Sequence, residues 1–516
     1  MEFKNKSAVE LIGLLSCGEV SSVELTKYFI QLIKQQDPNL NALVVPTFER
    51  ALKQASLADE AYKQGNRLGL LHGLPVTVKE CFDLIDTPST FGLLNRCDNY
   101  PDKNDIYVQS LLDEGAVILG KSNVSQLLSF TESDNPVYGR TNHAHNQAFS
   151  CGGSSGGEGV LIGQGLSPLG IGTDIGGSVR IPAAVNGACG IKPTMGALRD
   201  CTRFSPIQDK LPVASCVGPI AQDAASLKLA LDIMQKAASQ RWDVAPFKNF
   251  TNLDITSLKV GFYVDDGLFP VSKPVREAIE KTIDKLKALN VSVTEFHPPN
   301  LNKAESIFYR SISINNGEYI LGPLDKDKPA MQISKLAMLM KAPAFVRKAL
   351  QKLLLLCGQK QQARIMQYLA ATTLLERDAL EQERKAYSEE YIAAMDQSPI
   401  GKLDAVIHPI SAVPAYLHEA FEKMGLAGTY SLVHNVTGFP AGVANVATVN
   451  KKDIEVTTGS IDLAISSAQK CVADSEGMPL SAQIAARPNQ EHVVLALIEA
   501  LHNKPAALCE SSSELS

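Results

Sequence analysis

Two serines in glycine-rich settings have the surroundings needed to attack a carbonyl carbon. Ser154 lies in Cys151-Gly152-Gly153-Ser154-Ser155-Gly156-Gly157, and Ser178 in Gly172-Thr173-Asp174-Ile175-Gly176-Gly177-Ser178-Val179-Arg180. Ser178 is the better nucleophile of the two, because the glycines before it can turn successive backbone N–H groups toward one point, as an oxyanion requires. A serine hydroxyl also needs a base. No histidine lies close in sequence, and Val179-Arg180 excludes a GxSxG elbow, so the loops alone leave the base open.

Other uses of such loops fit less well. A flexible linker has the same composition, but Val160-Leu161-Ile162 and Leu169-Gly170-Ile171 embed these loops in core-like sequence, where glycines let backbone approach a ligand. Phosphate cradling would need GxxxxGK[ST] or GxGxxG ahead of a helix, and position 175 is isoleucine. The ten cysteines form no CxxC pair, and the histidines form no HExxH, so the sequence predicts neither metal nor cofactor and fits a reducing compartment. A net charge of −6 argues against a nucleic-acid partner held through phosphates.

The elements that must position these loops read as alternating strands and helices. Ser21 with Glu24 predicts a capping box opening a helix that ends before Asp37-Pro38, and a second helix is expected over Ala51 to Gln64. Gly73 to Val78 reads as a strand whose end delivers Lys79. Gly115 to Gly120 reads as another, followed by a helix that Ser122 would cap. Leu403 to Ile407, closed by His408-Pro409, and Ala441 to Val446 repeat the strand pattern. This alternation predicts an α/β sheet covered on both faces.

Taken together, GGSSGG, GTDIGGSVRIP, GxxGxKPT and Val78-Lys79-Glu80 about a hundred residues before Ser178 resemble the amidase signature family of serine hydrolases. Ser154 to Gly159, Ser167 to Gly170, Asp134-Asn135-Pro136, Gly438 to Val443 and Gly477 to Leu480 are similar to its fatty acid amide hydrolase branch, over about residues 60 to 500. The resemblance implies an α/β amidase signature fold, with a large twisted mixed sheet covered by helices on both faces. It implies Ser178 as nucleophile, Ser154 as a bridging serine after a cis peptide bond, and Lys79 as base. Ile175, Gly176 and Gly177, with Ser178, would supply the oxyanion-hole N–H groups, and Ser155, Asp174 and Arg180 would fix the two loops. On its own, Lys79 reads as an ordinary surface or salt-bridged lysine, and Asp174 with Arg180 as a loop ion pair. To act as a base near neutrality, a lysine must lose about 3 units from its aqueous pKa through burial or nearby positive charge, and Arg180 or Lys192 is the expected source of such charge.

The organisation expected is an N-terminal helical region over 1–70, a catalytic domain over 71–505 and a disordered tail over 506–516. Within the catalytic domain, 328–375 is set apart by having no acidic residue and eight basic ones. Pro343 can open a helix there with Phe345, Val346, Ala349, Leu350, Leu353, Leu354 and Cys357 on one face, extended upstream by Leu339 and Met340. Such a face reads either as core packing or as a helix lying in an anionic membrane interface. The segment also sits where the fatty acid amide hydrolase branch has its membrane cap, and the cap reading is preferred.

The predicted activity is hydrolysis of fatty acid amides, N-acylethanolamines or primary amides, to free acid and amine or ammonia. A soluble amidase of small or aryl amides, a glutamine-dependent amidotransferase subunit and an inactive membrane-binding relative are the alternatives. Expected partners are the lipid amide and a membrane surface contacted by 328–375, and the resemblance suggests a homodimer. Neither a signal peptide nor a membrane-spanning run of about 18 apolar residues is seen, so a cytoplasmic or peripheral membrane location is expected, with export through a C-terminal signal left open.

Overall fold

Seven strands are buried residue after residue, the pattern of a sheet covered on both faces. They belong to one sheet of eleven strands in a computed structural model that describes residues 2–202, 211–369, 372–418, 420–424, 428–455 and 459–502. In chain order the strands are β1 (Leu43–Pro46), β2 (Pro75–Lys79), β3 (Val117–Ser122), β4 (Leu169–Asp174), β5 (Cys189–Lys192), β6 (Cys216–Ala221), β7 (Lys259–Phe262), β8 (Ser292–Glu295), β9 (Ala405–Pro409), β10 (Ala441–Thr448) and β11 (Pro479–Ala486). Their order across the sheet is β1-β3-β2-β4-β6-β5-β10-β11-β9-β7-β8. Both parallel and antiparallel pairs occur, so the sheet is mixed, and helices flank it.

Register decides what the sheet delivers. β2 runs parallel to β3 and β4, with Lys79 opposite Ser122 and Val78 opposite Ile171. Parallel neighbours end at the same edge, so the last residues of β2 and β4 arrive together, and that edge is where ligands bind in open α/β sheets. The helix Gly156–Gly163 starts directly after the first glycine-serine loop and packs over β4, while the short helix Arg180–Val185 starts after the second.

Several local expectations need correction. Ser21 accepts from the Glu24 N–H at 3.1 Å, but the reciprocal half of the box is absent from the helix Ser22–Gln36. The helix expected after Ser122 does not form. Ser122 closes β3, and the chain passes into a single 3-10 turn, Gln126–Leu128, because Leu127 takes a positive φ of 59°. The tail over 506–516 lies outside the described residues.

Candidate active site

Lys79 at the end of β2 has no exposure, and its Nζ lies 2.8 Å from Ser154 Oγ and 2.9 Å from Thr173 Oγ1 near the end of β4. Two other buried lysines show how selective this placement is. Lys121 spends its ammonium on Pro88 O and Ser89 Oγ, and Lys192 donates to Pro193 O. Only Lys79 of the three meets either of the candidate serines. Its neighbour Glu80 is spent on structure, accepting from the N–H groups of Thr90 and Phe91 and from Tyr138 Oη.

Burial pushes the Lys79 ammonium below the usual lysine range, whereas Cys81, Asp200, Asp174 and Glu158 act the other way. The lowering therefore comes from desolvation, and not from Arg180 or Lys192. Arg180 is neutralised by Asp174, with Nη2 2.9 Å from Oδ1 and Nε 3.0 Å from Oδ2. Burial opposes the charge on Asp174, but the guanidinium wins and holds its carboxyl below the ordinary range.

The Asp174–Arg180 pair shapes the Ser178 loop. Asp174 accepts from the N–H of Gly177 at 2.9 Å and of Val179 at 3.2 Å. Ser431 Oγ donates to Gly176 O at 2.5 Å from the other side. Gly177 adopts φ +114°, and a Cβ there would fall on Ser431 Oγ, so this turn admits only glycine. The Gly177 N–H, expected in an oxyanion hole, thus donates to a carboxylate. The N–H groups of Ile175, Gly176 and Ser178 donate to no described residue.

Around the first loop, the Gly153–Ser154 peptide is cis. Gly153 lies so close to the chain ahead of it that a Cβ would sit 2.6 Å from Phe130 O. Ser155 N donates to Ser178 O at 3.3 Å and ties the two loops together, while its Oγ has no partner among the described residues. Ser154, Thr173, Ile175, Gly176 and Ser178 line one cavity, walled by apolar Leu127, Leu128, Phe130, Phe308, Ile312 and Ile320. No hydrogen bond joins the Ser178 hydroxyl to that of Ser154, whose Oγ is met by Lys79.

Arg180 also holds residues that sequence reasoning missed. Its Nη1 donates to Gln483 Oε1 at 2.5 Å and Ser431 O at 3.1 Å, and its Nη2 to Asn435 Oδ1 at 2.6 Å. Gln483 Nε2 is 3.2 Å from His408 Nε2, which is 2.7 Å from His434 Nε2. His408 Nδ1 meets Pro409 O at 2.8 Å, so Nδ1 carries the proton and Nε2 accepts from both neighbours. Burial supports this neutral form by pushing His408 down to about 3. Gln483, Asn435 and His434 stand some 250 to 300 positions from Arg180, and no local pattern points to them.

The predicted membrane-cap residues lie apart from this cavity. The helix Met331–Lys341 is followed by Ala344–Leu356, which Pro343 opens as expected. Phe345, Val346 and Leu353 are exposed, Leu339, Leu350 and Leu354 half-buried. Met340 departs from the expected surface: it is fully buried with its sulfur against Gly317. Leu355 and Leu356 add exposed area that the helical face did not include, and the segment of Ile461 and Leu463, where the helix Leu463–Ala473 begins, adjoins it through Gln359, which donates to Ile461 O and accepts from Leu463 N.

Residues 24–495 match the amidase family. The chain belongs to that family. It is a hydrolase acting on amide bonds. Over 494 residues this amidase is 29% identical to fatty acid amide hydrolase 1 of Caenorhabditis elegans, covering 93% of this chain and 85% of that protein. It is 33% identical over 444 residues to fatty-acid amide hydrolase 1 of Sus scrofa, covering 83% and 74%. A solved fatty acid amide hydrolase superposes with a TM-score of 0.81 at 24% identity over 97% of this chain and 86% of that one, a likeness of fold.

Proposed function

We propose that this amidase hydrolyses amides of long, apolar acyl groups through an acyl-enzyme on Ser178, meeting its substrate at a membrane surface. The observation that carries the chemistry is the Lys79 Nζ to Ser154 Oγ contact of 2.8 Å, buried at the shared edge of β2 and β4 beside Ser178. Neutral Lys79 draws a proton from Ser154 as Ser154 draws one from Ser178, and Ser178 Oγ attacks the amide carbon. Negative charge developing on the carbonyl oxygen is met by the N–H groups of Ile175, Gly176 and Ser178. The proton returns along the same route to the leaving nitrogen, the C–N bond breaks, and water then releases the acid from Ser178.

Two observations support an apolar acyl group. Phe308, Ile312, Ile320, Leu127 and Leu128 line the cavity beside Ser178. Outside it, Phe345 is 74% and Leu356 86% exposed on a helix with basic residues such as Lys348 and Lys352, the composition of a helix that lies in an anionic interface. The similarity to fatty acid amide hydrolases points the same way.

The test is a rate series over acyl length, with and without anionic vesicles. Rates should rise with chain length, and Ser178→Ala should cut turnover by at least about 10⁴-fold while the protein stays folded. Turnover of acetamide equal to that of a long-chain amide would overturn the lipid reading in favour of a small-amide hydrolase.

A further inference from the structure

Asp200 has no part in the chemistry above, yet it lines the same cavity. It is only 8% exposed. Its place is set by the sheet: Arg199 bridges to Cys216, and Cys216 pairs with Asp174 at the end of β4. Tyr107 Oη donates to Arg199 O at 2.9 Å and pins the segment from behind. Thr202 donates to Asp200 Oδ1 from both N, at 3.0 Å, and Oγ1, at 2.7 Å. Oδ2 receives no hydrogen bond and Asp200 pairs with no cation among the described residues.

A carboxylate this sheltered is costly unless something pairs with it. Lys79 feels its charge but donates instead to Ser154 and Thr173. With Ser129 and Thr131, Asp200, Thr202 and Ser215 make the polar part of a wall whose apolar part includes Phe308 and Ile312. If the acyl chain takes the apolar side, as the proposed function holds, the amine side of the scissile bond faces the polar part.

We infer that Asp200 is a specificity-determining residue that binds a protonated amine on the leaving group, so that this enzyme prefers acylated diamines to other amides of the same acid. The inference rests on the proposed acyl-amide reading. It assigns Thr202 the role of orienting the carboxylate, leaving Oδ2 for the ligand.

The experiment compares three amides of one long-chain acid: the primary amide, an N-alkyl amide, and an N-aminoalkyl amide of matched length. A hydrogen bond to a charged group contributes about 1.5–3 kcal/mol, which converts to a kcat/KM ratio of roughly tenfold or more for the aminoalkyl over the alkyl amide. Asp200→Asn should bring that ratio close to one, and Thr202→Val should lower it part-way. A ratio near one in the unaltered enzyme would overturn the inference without any variant. So would an Asp200→Asn enzyme that keeps the ratio and only moves the acid limb of kcat/KM for all three amides, since the carboxylate would then act on Lys79 alone. Failure of the underlying reading looks different: none of the three is turned over, or acetamide does as well.

Discussion

Arg180 and Phe345 stand in the first turns of two helices and meet opposite surroundings. Arg180 has no exposure, and its N–H groups reach Asp174, Gln483, Ser431 and Asn435. Phe345 is 74% exposed in a helix that buries none of its residues. The first region spends polar groups on each other until the Ser178 loop has one available shape. The second leaves apolar area uncovered, which is costly in water and useful only where something else covers it. Together they separate the two tasks proposed for this amidase, with bond chemistry fixed inside the sheet edge and access set by the surface.

The strongest way to break the contrast is Arg180→Met. Removing one partner of a buried pair leaves an uncompensated charge on Asp174 and costs about 3–5 kcal/mol. Denaturant unfolding should show that loss, and turnover should fall with it, because Asp174 would no longer hold the N–H groups of Gly177 and Val179 in place. A variant as stable and active as the parent would show that the loop is shaped by glycine geometry alone.

Gln483→Leu probes the same network one step out. It strips an acceptor from Arg180 and a donor from His408, for a loss of about 1–3 kcal/mol. Acid tests the next step. Unfolded histidine binds a proton near 6.5, but folded His408 does so only at about 3, so the unfolded chain gains protons first as pH falls. Stability contributed by neutral His408 is therefore complete above about 6.5 and is lost progressively toward about 3. Glu158, which burial raises from 4.5 to about 7, contributes with the opposite sign between those two values and so overlaps the upper part of that window. The difference between parent and His408→Gln isolates the histidine: unfolding midpoints at pH 7 and pH 5 should move less in the variant.

How much of this was legible depends on chain distance. Ser154, Ser178, Asp174 and Arg180 fall within one stretch of sequence, and the apolar run before Lys79 correctly placed that lysine at a strand end. Ser431, Asn435 and Gln483 were not legible, because the packing of the helix Leu432–Thr437 and the position of β11 in the sheet, rather than sequence spacing, bring them to Arg180. The orientation of the Gly177 N–H was missed for a related reason: a glycine pair predicts a sharp turn but not which acceptor the turn will face. Met340 and Ser122 show the limit of periodicity. An apolar residue in register with exposed neighbours was covered by Gly317, and a good capping residue found itself completing a strand paired with Lys79.

The smallest effect on stability is expected where the exposed side of the contrast is altered. Phe345→Ser with Leu356→Ser removes two side chains that bury little, so unfolding should change by no more than about 0.5 kcal/mol. Association with anionic vesicles should nevertheless drop sharply, since partitioning scales with the apolar area inserted. Hydrolysis of a short, soluble amide would be unaltered, because neither side chain lines the cavity at Ser178, whereas hydrolysis of a long-chain amide presented in vesicles would fall. If both substrates lose equally, the helix supports the active site and the two regions are not separate. If neither changes, the uncovered face serves some other contact, and the apolar cavity alone must account for any preference among acyl chains.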